Sequence, residues 1–462
     1  MKLSKNLTRY LLIAAAILVV CAIVVVICIV GNASDDDTPP QHIHNFVERI
    51  CESCGEMQDS VGLSFAPNSD GTCSIIGIGN CTDIDIKIPK YIDGYKVIAI
   101  GEMAFSGQTN LSSITVSEGI TIIGRHAFSG CRSLTSIMIP DSVTSIGDQA
   151  FLRCSSLTSI VIPDGVTSIG NNVFSGCDSL TSIVIPDGVT SIGNNAFSGC
   201  DNLTNIIIPD SVTSIGGGAF NNCNSLTSIM IPASVTSIGE WAFERSGLAS
   251  IVLPNGVTNI DRRVFSNCSS LVSIVIPDSV TKIDQEAFSM CSNLTSIVIP
   301  NSVTSIDSSA FNYCKSIQSV YITDIEAWLN IDFAVTHSNP CRYGADLYLN
   351  NQKLTELVIP DSVTNIGDYT FCGCTSLSNV VIPDSVAIIG NYAFFECSNL
   401  TNIVIPASVA SIGDYAFYDC SSLASITFEG TIAQWNAVTK GSHWDSGTGA
   451  YTVYCTDGNI TK

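Results

Sequence analysis

The chain has 462 residues, of which 46% are apolar and 13% are charged, and its 41 acidic and 19 basic side chains give a formal net charge of −22. Binding to nucleic acid or to an anionic lipid surface rests on clustered Lys and Arg, so this charge argues against both classes of partner. So high an apolar share with so few charges is unusual for a loosely packed globule and indicates one long, regularly packed core.

The first thirty residues predict a membrane anchor. Three basic residues lie within residues 1–10, and the twenty uncharged, mostly aliphatic residues Leu11–Val30 are long enough to span a bilayer as a helix. Three aspartates follow at 35–37, so the positive-inside rule places residues 1–10 in the cytoplasm and the rest of the chain outside, at the cell surface. Cleavage after residues 31–33 would instead give a secreted protein, but the length of the apolar stretch favours a retained anchor.

Residues 31–60 are typical of a short exported stalk and contain the one stretch with metal-ligand spacing. Cys51 and Cys54 form a C-x-x-C pair that can present both sulfurs to one ion, and His42 and His44 could complete a tetrahedral zinc site. A disulfide, free thiols or a vestigial module are the alternatives. A zinc ion held here would be structural, and the sequence requires no other cofactor.

From residue 111 to the last quarter of the chain one 23-residue unit recurs, as in LTSIVIPDGVTSIGNNAFSGCDN of Leu180–Asn202. Its phenylalanine repeats at a step of 23 residues, slips by one residue before Phe265, and resumes after an insertion that precedes Phe371. The occurrences are Phe105, Phe128, Phe151, Phe174, Phe197, Phe220, Phe243, Phe265, Phe288, Phe311, Phe371, Phe394 and Phe417. So short a unit cannot bury its apolar face alone, so neighbouring units must stack and share one core.

The apolar spacing changes within one unit. Ile183 and Ile185 alternate as in a strand. The Pro-Asp-Gly sequence at 186–188 predicts a turn in which the glycine tolerates a positive φ. Residues 189–192 form a second extended segment, and residues 194–200 have room only for a turn or two of α or 3₁₀ helix. The predicted fold is therefore a β-rich solenoid with 23-residue coils of short strands and short helical turns, preceded by one transmembrane helix.

The repeated pattern L-x-x-I-x-I-P-x-x-V-x-x-I-G-x-x-A-F-x-x-C resembles the BspA-like, or Treponema-type, leucine-rich repeat over residues 83–430. The resemblance implies a leucine-rich repeat fold and a cell-surface binding or adhesion module without enzymatic activity, commonly of host-associated bacteria or protists. The chain then divides into an N-terminal cap with a degenerate first repeat (61–110), a first repeat block (111–322), a cap-like insertion (323–353), a second block (354–428) and a C-terminal cap (429–462).

The insertion and the C-terminal segment resemble each other, since ITDIEAWLNIDFA and ITFEGTIAQWNAV both precede a loop and an extended segment. We predict one capping device used twice, in which a short helix around Trp328 or Trp435 lies over the open end of the stack and Tyr348 or Tyr454 lies on a closing strand. The terminal copy would protect the unpaired edge of the last coil. The internal copy is expected to bulge out or to bend the solenoid between the two blocks.

Eleven of the 20 cysteines occupy one column of the repeat. They are Cys131, Cys154, Cys177, Cys200, Cys223, Cys268, Cys291, Cys314, Cys374, Cys397 and Cys420. We expect free, buried thiols there, because Cys packs as a small apolar group with a weak S–H donor and stacked parallel Cβ vectors suit disulfide geometry poorly. Outside the column, Cys73 and Cys81 could pair across the opening segment.

The residue between the two inward isoleucines of the strand is itself apolar, and strand alternation points it away from the core. This predicted stripe comprises Met138, Val161, Val184, Ile207, Met230, Val252, Val275, Val298 and Tyr321, and continues with Val358, Val381 and Val404. A contiguous exposed apolar patch is typical of an interaction surface, so we predict that the stripe binds a protein ligand. β-propensity and lateral packing of Val are the alternative explanation.

A column of aspartates follows the prolines of the repeat. Its members are Asp141, Asp164, Asp187, Asp210, Asp278, Asp361 and Asp384. Carboxylates in a row about 4.8 Å apart could bind Ca²⁺, but turn chemistry explains the column without an ion and no loop encloses a sphere of ligands.

No sequence motif of an enzyme is present, because the chain lacks a nucleophile elbow, a phosphate-binding loop and a dinucleotide fingerprint. Only the irregular segment 324–353 offers candidates for a private site, that is, a catalytic site formed by residues that do not recur in every coil. These candidates are Asp324, Glu326, Asp332 and His337. We therefore expect a non-enzymatic cell-surface binding or adhesion protein whose partners are proteins, including host-surface or matrix proteins. A structural surface spacer without a specific ligand is the alternative.

Overall fold

The computed structural model describes residues 57–462 and two short strands before them, β1 (Phe46–Val47) and β2 (Ile50–Cys51), which pair antiparallel. The chain divides into two compact units, residues 1–58 and residues 59–462. The second unit contains the repeats.

Two sequence predictions fall on parts of the chain that the structure leaves undescribed. The apolar segment Leu11–Val30 lies outside the described residues, and so do His42, His44 and Cys54 of the predicted zinc site. Cys51 is described only as part of a strand, without its side chain. No helix in the described part of the chain is both long and apolar enough to cross a bilayer.

The second unit opens with β3 (Ser64–Pro67), β4 (Thr72–Gly77), β5 (Asp85–Lys87), β6 (Tyr91–Ile92) and β7 (Tyr95–Ile100). β3 and β4 form an antiparallel pair, and β4 pairs in parallel with β7. The predicted Cys73–Cys81 disulfide is wrong, since both thiols are free and buried. Each thiol has a different neighbour: Cys73 Sγ lies 3.9 Å from the carbonyl oxygen of Tyr95, and Cys81 Sγ lies 3.3 Å from a carboxylate oxygen of Asp83.

In the first repeat block, most coils contribute one strand of three residues and one of two. These strands are β8 (Ser113–Thr115), β9 (Ile122–Ile123), β10 (Ser136–Met138), β11 (Ser145–Ile146), β12 (Ser182–Val184), β13 (Ser191–Ile192), β14 (Asn205–Ile207), β15 (Ser214–Ile215), β16 (Ser237–Ile238), β17 (Ser250–Val252), β18 (Asn259–Ile260), β19 (Ser273–Val275), β20 (Lys282–Ile283), β21 (Ser296–Val298) and β22 (Ser305–Ile306). They pair in parallel with the equivalent strand of the next coil, so that Ser182 lies opposite Asn205 and Ser191 opposite Ser214. The predicted solenoid is confirmed.

The phenylalanines of the repeat form a continuous ladder inside the stack. From Phe105 to Phe311, neighbouring ring centroids lie 5.3–5.7 Å apart and the ring planes are within 13° of parallel. All of these rings are buried. Aromatic rings at this separation attract one another in addition to burying their area, which explains why every regular coil has Phe at this position.

Residues 194–200 form successive hydrogen-bonded turns, so the prediction of an α or 3₁₀ helix here is wrong. The N–H groups of Asn195, Phe197 and Gly199 donate to carbonyl oxygens of the next coil at 2.8–2.9 Å, while the three intervening N–H groups donate back within their own coil. Asn195 and Gly199 have φ values of 53° and 72°. Because Asn195 and Gly199 have a left-handed φ, every second N–H group of this segment points towards the next coil. In a helix, every N–H group would instead point along the helix axis.

The Pro-Asp-Gly turn at 186–188 closes as predicted, with the N–H of Val189 donating to the carbonyl oxygen of Pro186 at 3.0 Å. The expectation of a positive φ at Gly188 is wrong. The position therefore accepts other residues, and the next coil has Ser211 there, whose Oγ donates to the carbonyl oxygen of Val189 at 2.6 Å. The same bond to the preceding coil recurs at Ser234, Ser279, Ser302, Ser385 and Ser408.

The first block ends with β23 (Ser319–Ile322). The insertion contains α1 (Ile325–Leu329), β24 (Asp332–Phe333), a 3₁₀ turn (Thr336–Ser338), β25 (Asp346–Leu349) and β26 (Gln352–Lys353). β24 pairs in parallel with β22, and β25 with β23, so that Ser319 lies opposite Asp346. The predicted bulge is therefore wrong: the insertion is a longer coil of the same stack. Its extra residues form α1, which takes the place of the proline turn.

Hydrogen bonding between coils changes where this longer coil meets the second block. Elsewhere the N–H of the ladder phenylalanine donates to the next coil, but Ser338 occupies that position here. The acceptor in the second block is the carbonyl oxygen of Thr370, which receives Trp328 Nε1 at 3.1 Å and Asn339 Nδ2 at 2.9 Å instead. Both donor side chains are buried. Side chains thus replace the backbone contact at this coil, which lacks the phenylalanine.

The second block and the C-terminal cap contain β27 (Glu356–Val358), β28 (Asn365–Ile366), β29 (Asn379–Val381), β30 (Ile388–Ile389), β31 (Asn402–Ile405), β32 (Ser411–Ile412), β33 (Ser425–Phe428), α2 (Ile432–Ala437), β34 (Thr439–Lys440), β35 (Thr452–Cys455) and β36 (Gly458–Thr461). The two predicted helices are present as α1 and α2, each with its tryptophan, Trp328 or Trp435, buried. Tyr348 lies on β25 and Tyr454 on β35, and each of these strands ends in an antiparallel hairpin.

Replacing Gly188 by Ser is expected to stabilise the solenoid by about 1 kcal/mol, because the new hydroxyl can donate to the carbonyl oxygen of Val166 as Ser211 does to Val189. Serine also leaves the unfolded chain less backbone freedom than glycine, which further stabilises the folded state. The urea midpoint followed by circular dichroism measures the effect.

The matched control is Gly188→Ala, which adds the same Cβ, 3.2 Å from the carbonyl oxygen of Asp164, without the hydroxyl. A Gly188→Ser variant no more stable than this control would contradict the role assigned to the serine column.

Candidate functional site

The predicted apolar stripe lies on the outside of the solenoid. Eight successive members, from Met138 to Val298, are exposed, by 44% at Ile207 to 68% at Met230. The members are Met138, Val161, Val184, Ile207, Met230, Val252, Val275 and Val298. The neighbouring positions face the core, as Ile183 and Ile185 are only 3% and 2% exposed. Strand alternation therefore produces one apolar column facing solvent.

Strand register aligns members of the stripe in neighbouring coils. Val184 lies directly opposite Ile207, and Val252 opposite Val275. Val161 and Met230 lie outside the assigned strands and are 67% and 68% exposed, so the exposed series continues through their coils. At a strand spacing of about 4.8 Å, the eight positions extend over roughly 35 Å. The stripe begins at Met138, because the strand before it carries Thr115 at the equivalent position. An uninterrupted exposed apolar surface of this length is larger than single surface side chains explain and is typical of an interaction site.

Of the later members of the predicted stripe, Val358 alone is exposed. Tyr321 is half-buried, because its ring stacks on Tyr348 at 4.9 Å between centroids. Val358 is 69% exposed, whereas Val381 and Val404 are half-buried. The continuous exposed stripe therefore runs from Met138 to Val298. Ligand binding by these residues stays a prediction.

The cysteine column is confirmed as a row of free, buried thiols. Ten of the eleven Sγ atoms donate to the carbonyl oxygen of the phenylalanine in the preceding coil, as from Cys200 to Phe174 at 3.2 Å. Cys374 is the exception, because the coil before it has no phenylalanine, and its thiol lies against Cys341. Burial raises the pKa of Cys131, Cys223 and Cys420 to about 12. These thiols are protonated donors at neutral pH, and the column is structural.

The aspartate column lies at exposed turns, as predicted from turn chemistry. Within the described part of the chain, no group of three or more His, Cys, Asp or Glu residues could hold a metal ion. Calcium binding by the column is therefore not supported. The zinc prediction at His42, His44, Cys51 and Cys54 is untested, because those side chains are outside the described residues.

The structure shows where the four candidates for a private site in the insertion lie. Asp324 is the N-cap of α1, and its Oδ1 accepts the N–H groups of Glu326 and Ala327 at 2.8 and 3.2 Å. Asp332 is exposed on β24. Burial and the nearby guanidinium of Arg342 lower the pKa of His337, whose Nδ1 lies 3.4 Å from the hydroxyl of Thr336. The structure gives Asp324 a local structural role. Glu326 and Asp332 line one open pocket of about 430 Å³, together with Ser362 and Asp368, whereas Asp324 and His337 are not part of its lining.

The structure also shows an aromatic cluster that the sequence analysis did not single out. Tyr369, Tyr392 and Tyr415 stack in successive coils of the second block, with centroids 5.2 and 4.9 Å apart. Phe395 and Tyr418 form a parallel stack beside them at 5.1 Å. The sequence contains the pattern that indicates this cluster, because Tyr369, Tyr392 and Tyr415 each precede a ladder phenylalanine by two residues.

Comparison with known proteins agrees with the geometry. The sequence model of the BspA type leucine rich repeat region matches six copies, over residues 80–204, 190–318 and 344–438. The chain belongs to this family. Its leucine-rich repeat fold is typical of protein-interaction or surface-antigen proteins. No curated protein matches the chain.

Solved leucine-rich repeat proteins of bacteria are similar to this BspA-type chain. A leucine-rich repeat protein from Bacteroides ovatus is 28% identical, with a TM-score of 0.61, over 84% of this chain and 98% of that one. A leucine rich cell surface protein from Faecalibacterium prausnitzii is 29% identical, with a TM-score of 0.45, over 83% and 98%. A leucine-rich repeat protein of T. pallidum is 27% identical, with a TM-score of 0.31, over 50% and 88%.

The column thiols are expected to resist Ellman's reagent at pH 8 in the folded chain and to react once it is unfolded in guanidinium. The half-buried Cys455, outside the column, should react first and serves as the internal control. Rapid labelling of the column in the native state would contradict the assigned burial.

The same thiols predict how stability changes with pH. The thiols of the unfolded chain have a pKa of about 8.5, whereas burial raises the pKa of Cys131, Cys223 and Cys420 in the folded chain to about 12. The stability that the protonated thiols contribute is therefore complete below pH 8.5 and is lost as the pH rises towards 12. Urea midpoints should therefore fall between pH 8 and pH 10.

Proposed function

We propose that this protein is a non-enzymatic binding protein of the cell surface that holds a protein ligand on the stripe from Met138 to Val298. The observation that supports this most directly is the exposure of eight apolar side chains in one uninterrupted column. The stripe contains Val, Ile and Met but no charge, so its partner should offer apolar side chains. A host-surface or matrix protein is the class of partner that fits this proposal.

The alternative is a surface spacer whose regular rod has no specific ligand. Parallel β-strands favour Val and Ile at outward positions for conformational reasons alone, and lateral contacts between neighbouring coils add to this preference. A spacer would tolerate polar residues throughout the stripe. The two proposals therefore differ in a measurable way.

The proposal includes export of the solenoid and membrane contact only through the segment Leu11–Val30. The arrangement of charges around that segment supports it. Secretion after cleavage near residues 31–33 is the second form of the proposal. A structural zinc ion at residues 42–54 remains a further proposal, and nucleic acid is disfavoured by the net charge of −22.

The stripe is tested with the triple variant Val184→Ser, Ile207→Ser and Met230→Ser. Saturable binding of the full chain to an array of matrix and cell-surface proteins should fall at least tenfold in this variant. The folded state should be retained, because these side chains are largely exposed and contribute little to the core.

The matched control replaces three exposed apolar residues outside the stripe, Ile122, Val272 and Met290, by Ser. Binding should survive in this control. Equal binding by both triple variants, or no binding by the unaltered chain, would favour the spacer.

The location is tested by treating intact cells that produce the chain with proteinase K. The solenoid should be degraded while a cytoplasmic marker survives. Mass spectrometry of the mature N-terminus then distinguishes a retained anchor from a chain cleaved near residues 31–33. A solenoid that is protected until the cells are lysed would contradict the proposed location.

A further inference from the structure

The coils of this solenoid differ from one another mainly on the turn face, which is the surface formed by residues 194–200 and their equivalents. From Met138 to Val298 the stripe varies only among Val, Ile and Met. The position two residues before each ladder phenylalanine is far more diverse. It carries Met103, His126, Gln149, Asn172, Asn195, Gly218, Trp241, Arg263, Glu286 and Ser309, and then Tyr369, Tyr392 and Tyr415. A ligand that distinguishes one part of the rod from another must contact this face.

In the second block the aromatic cluster joins a charged pair. Tyr392 lies 5.3 Å from Phe395 between ring centroids, and the guanidinium of Arg342 lies 5.1 Å from the centroid of Phe395. The same guanidinium forms an ion pair with Glu396 at 2.6 Å. The aromatic rings and the ion pair therefore form one continuous surface across several coils.

An open groove of about 550 Å³ runs beside this surface. Its polar lining comes from four coils and comprises Arg342, Thr375, Glu396, Ser398, Asp419 and Ser421. Gly344 is exposed with a left-handed φ and leaves the backbone bare at the groove, whereas Gly373 is buried against the carbonyl oxygen of Cys341. The groove is thus long, shallow and rich in hydroxyl and carboxylate groups.

Several hydrogen-bonding groups at this surface are unused within residues 57–462. The hydroxyls of Ser398 and Ser421 have no hydrogen-bond partner among these residues, and neither do the phenol hydroxyls of Tyr392 and Tyr415. Burial raises the pKa of Tyr392, so its phenol remains a neutral donor. Polar groups left free along a groove can bind a ligand that carries many hydroxyls.

We propose that this groove binds an extended, neutral, β-1,4-linked polysaccharide along the axis of the second block. Arg342 is compensated by Glu396, and Asp419 adds a negative charge, so the groove disfavours anionic glycans. Sugar hydroxyls both donate and accept hydrogen bonds, which matches a lining of serine, threonine and carboxylate groups with the phenols of Tyr392 and Tyr415 on the surface beside it.

The spacing of the site distinguishes a glycan from a peptide. Equivalent side chains recur every 4.9–5.2 Å along the second block, as the tyrosine and Phe395–Tyr418 stacks show. An extended polypeptide advances about 3.3 Å per residue, so its residues do not match the coils one to one. Each sugar of an extended β-1,4-linked pyranose chain advances by nearly one coil, and because successive sugars alternate in orientation, the same contact can recur at every second coil.

The test is isothermal titration of the full chain with cellohexaose, xylohexaose and maltohexaose. Cellohexaose and xylohexaose, which are extended, should bind at least tenfold more tightly than the curved maltohexaose. Absence of binding to both extended chains would overturn the proposal, and so would equal binding of maltohexaose.

Two variants locate the site without disturbing the fold. Ser398→Ala with Ser421→Ala removes two free hydroxyls, and Tyr392→Phe with Tyr415→Phe removes two phenol hydroxyls but keeps the stacked rings. Each should weaken binding at least fivefold.

The matched control is Ser269→Ala with Ser292→Ala, at the same repeat position in the first block, where the aromatic cluster is missing. It should bind like the unaltered chain. The stripe variant Val184→Ser, Ile207→Ser and Met230→Ser should also bind normally, which separates this site from the protein-binding proposal. Equal losses in the groove variants and the first-block control would overturn the assignment.

Discussion

The hydrogen bonds that each coil donates to the next are the constraint on which the rest of the structure depends. On the turn face the N–H groups of residues such as Asn195, Phe197 and Gly199 reach the next coil, and the strands pair across the same step. A ladder of this kind requires every coil to repeat the backbone of its neighbour. Identical side chains then fall above one another in columns, which is why Phe stacks on Phe and one apolar core runs through the stack.

Buried and semi-buried polar groups follow the same rule. Cys200 donates to the carbonyl oxygen of Phe174, Ser211 to that of Val189, and the Oδ1 of Asn194 accepts the N–H of Gly217 at 2.7 Å. Each of these bonds joins one coil to its neighbour, so small polar side chains reinforce the stack rather than interrupt it. The longer coil at 323–349 shows the converse. Where the phenylalanine is missing, Trp328 and Asn339 supply donors for the carbonyl oxygen of Thr370 that would otherwise lose its partner.

Because the core and the ladder determine the inward positions, variation between coils is confined to the outside. The strand face varies little between coils, and its uniform apolar stripe suits a partner that binds through shape and apolar contact area. The turn face varies more, since left-handed backbone positions there carry residues as different as Gly218, Trp241 and Tyr392. A solenoid with a repetitive face and a diverse face can therefore offer two kinds of recognition on one rod.

The sequence alone determined the solenoid, its 23-residue step, the inward residues and the free thiol column, because a fixed period in a parallel stack leaves a single assignment for each position. It also indicated the two capping helices, since the segments around Trp328 and Trp435 resemble each other. Only the tertiary structure decided that residues 194–200 are turns, that Cys73 and Cys81 are apart, and that the insertion is a coil. These features depend on bonds between coils, which local periodicity does not contain. The grouping of Arg342 with Phe395 and Glu396 arises in the same way, because stacking brings together residues more than fifty positions apart.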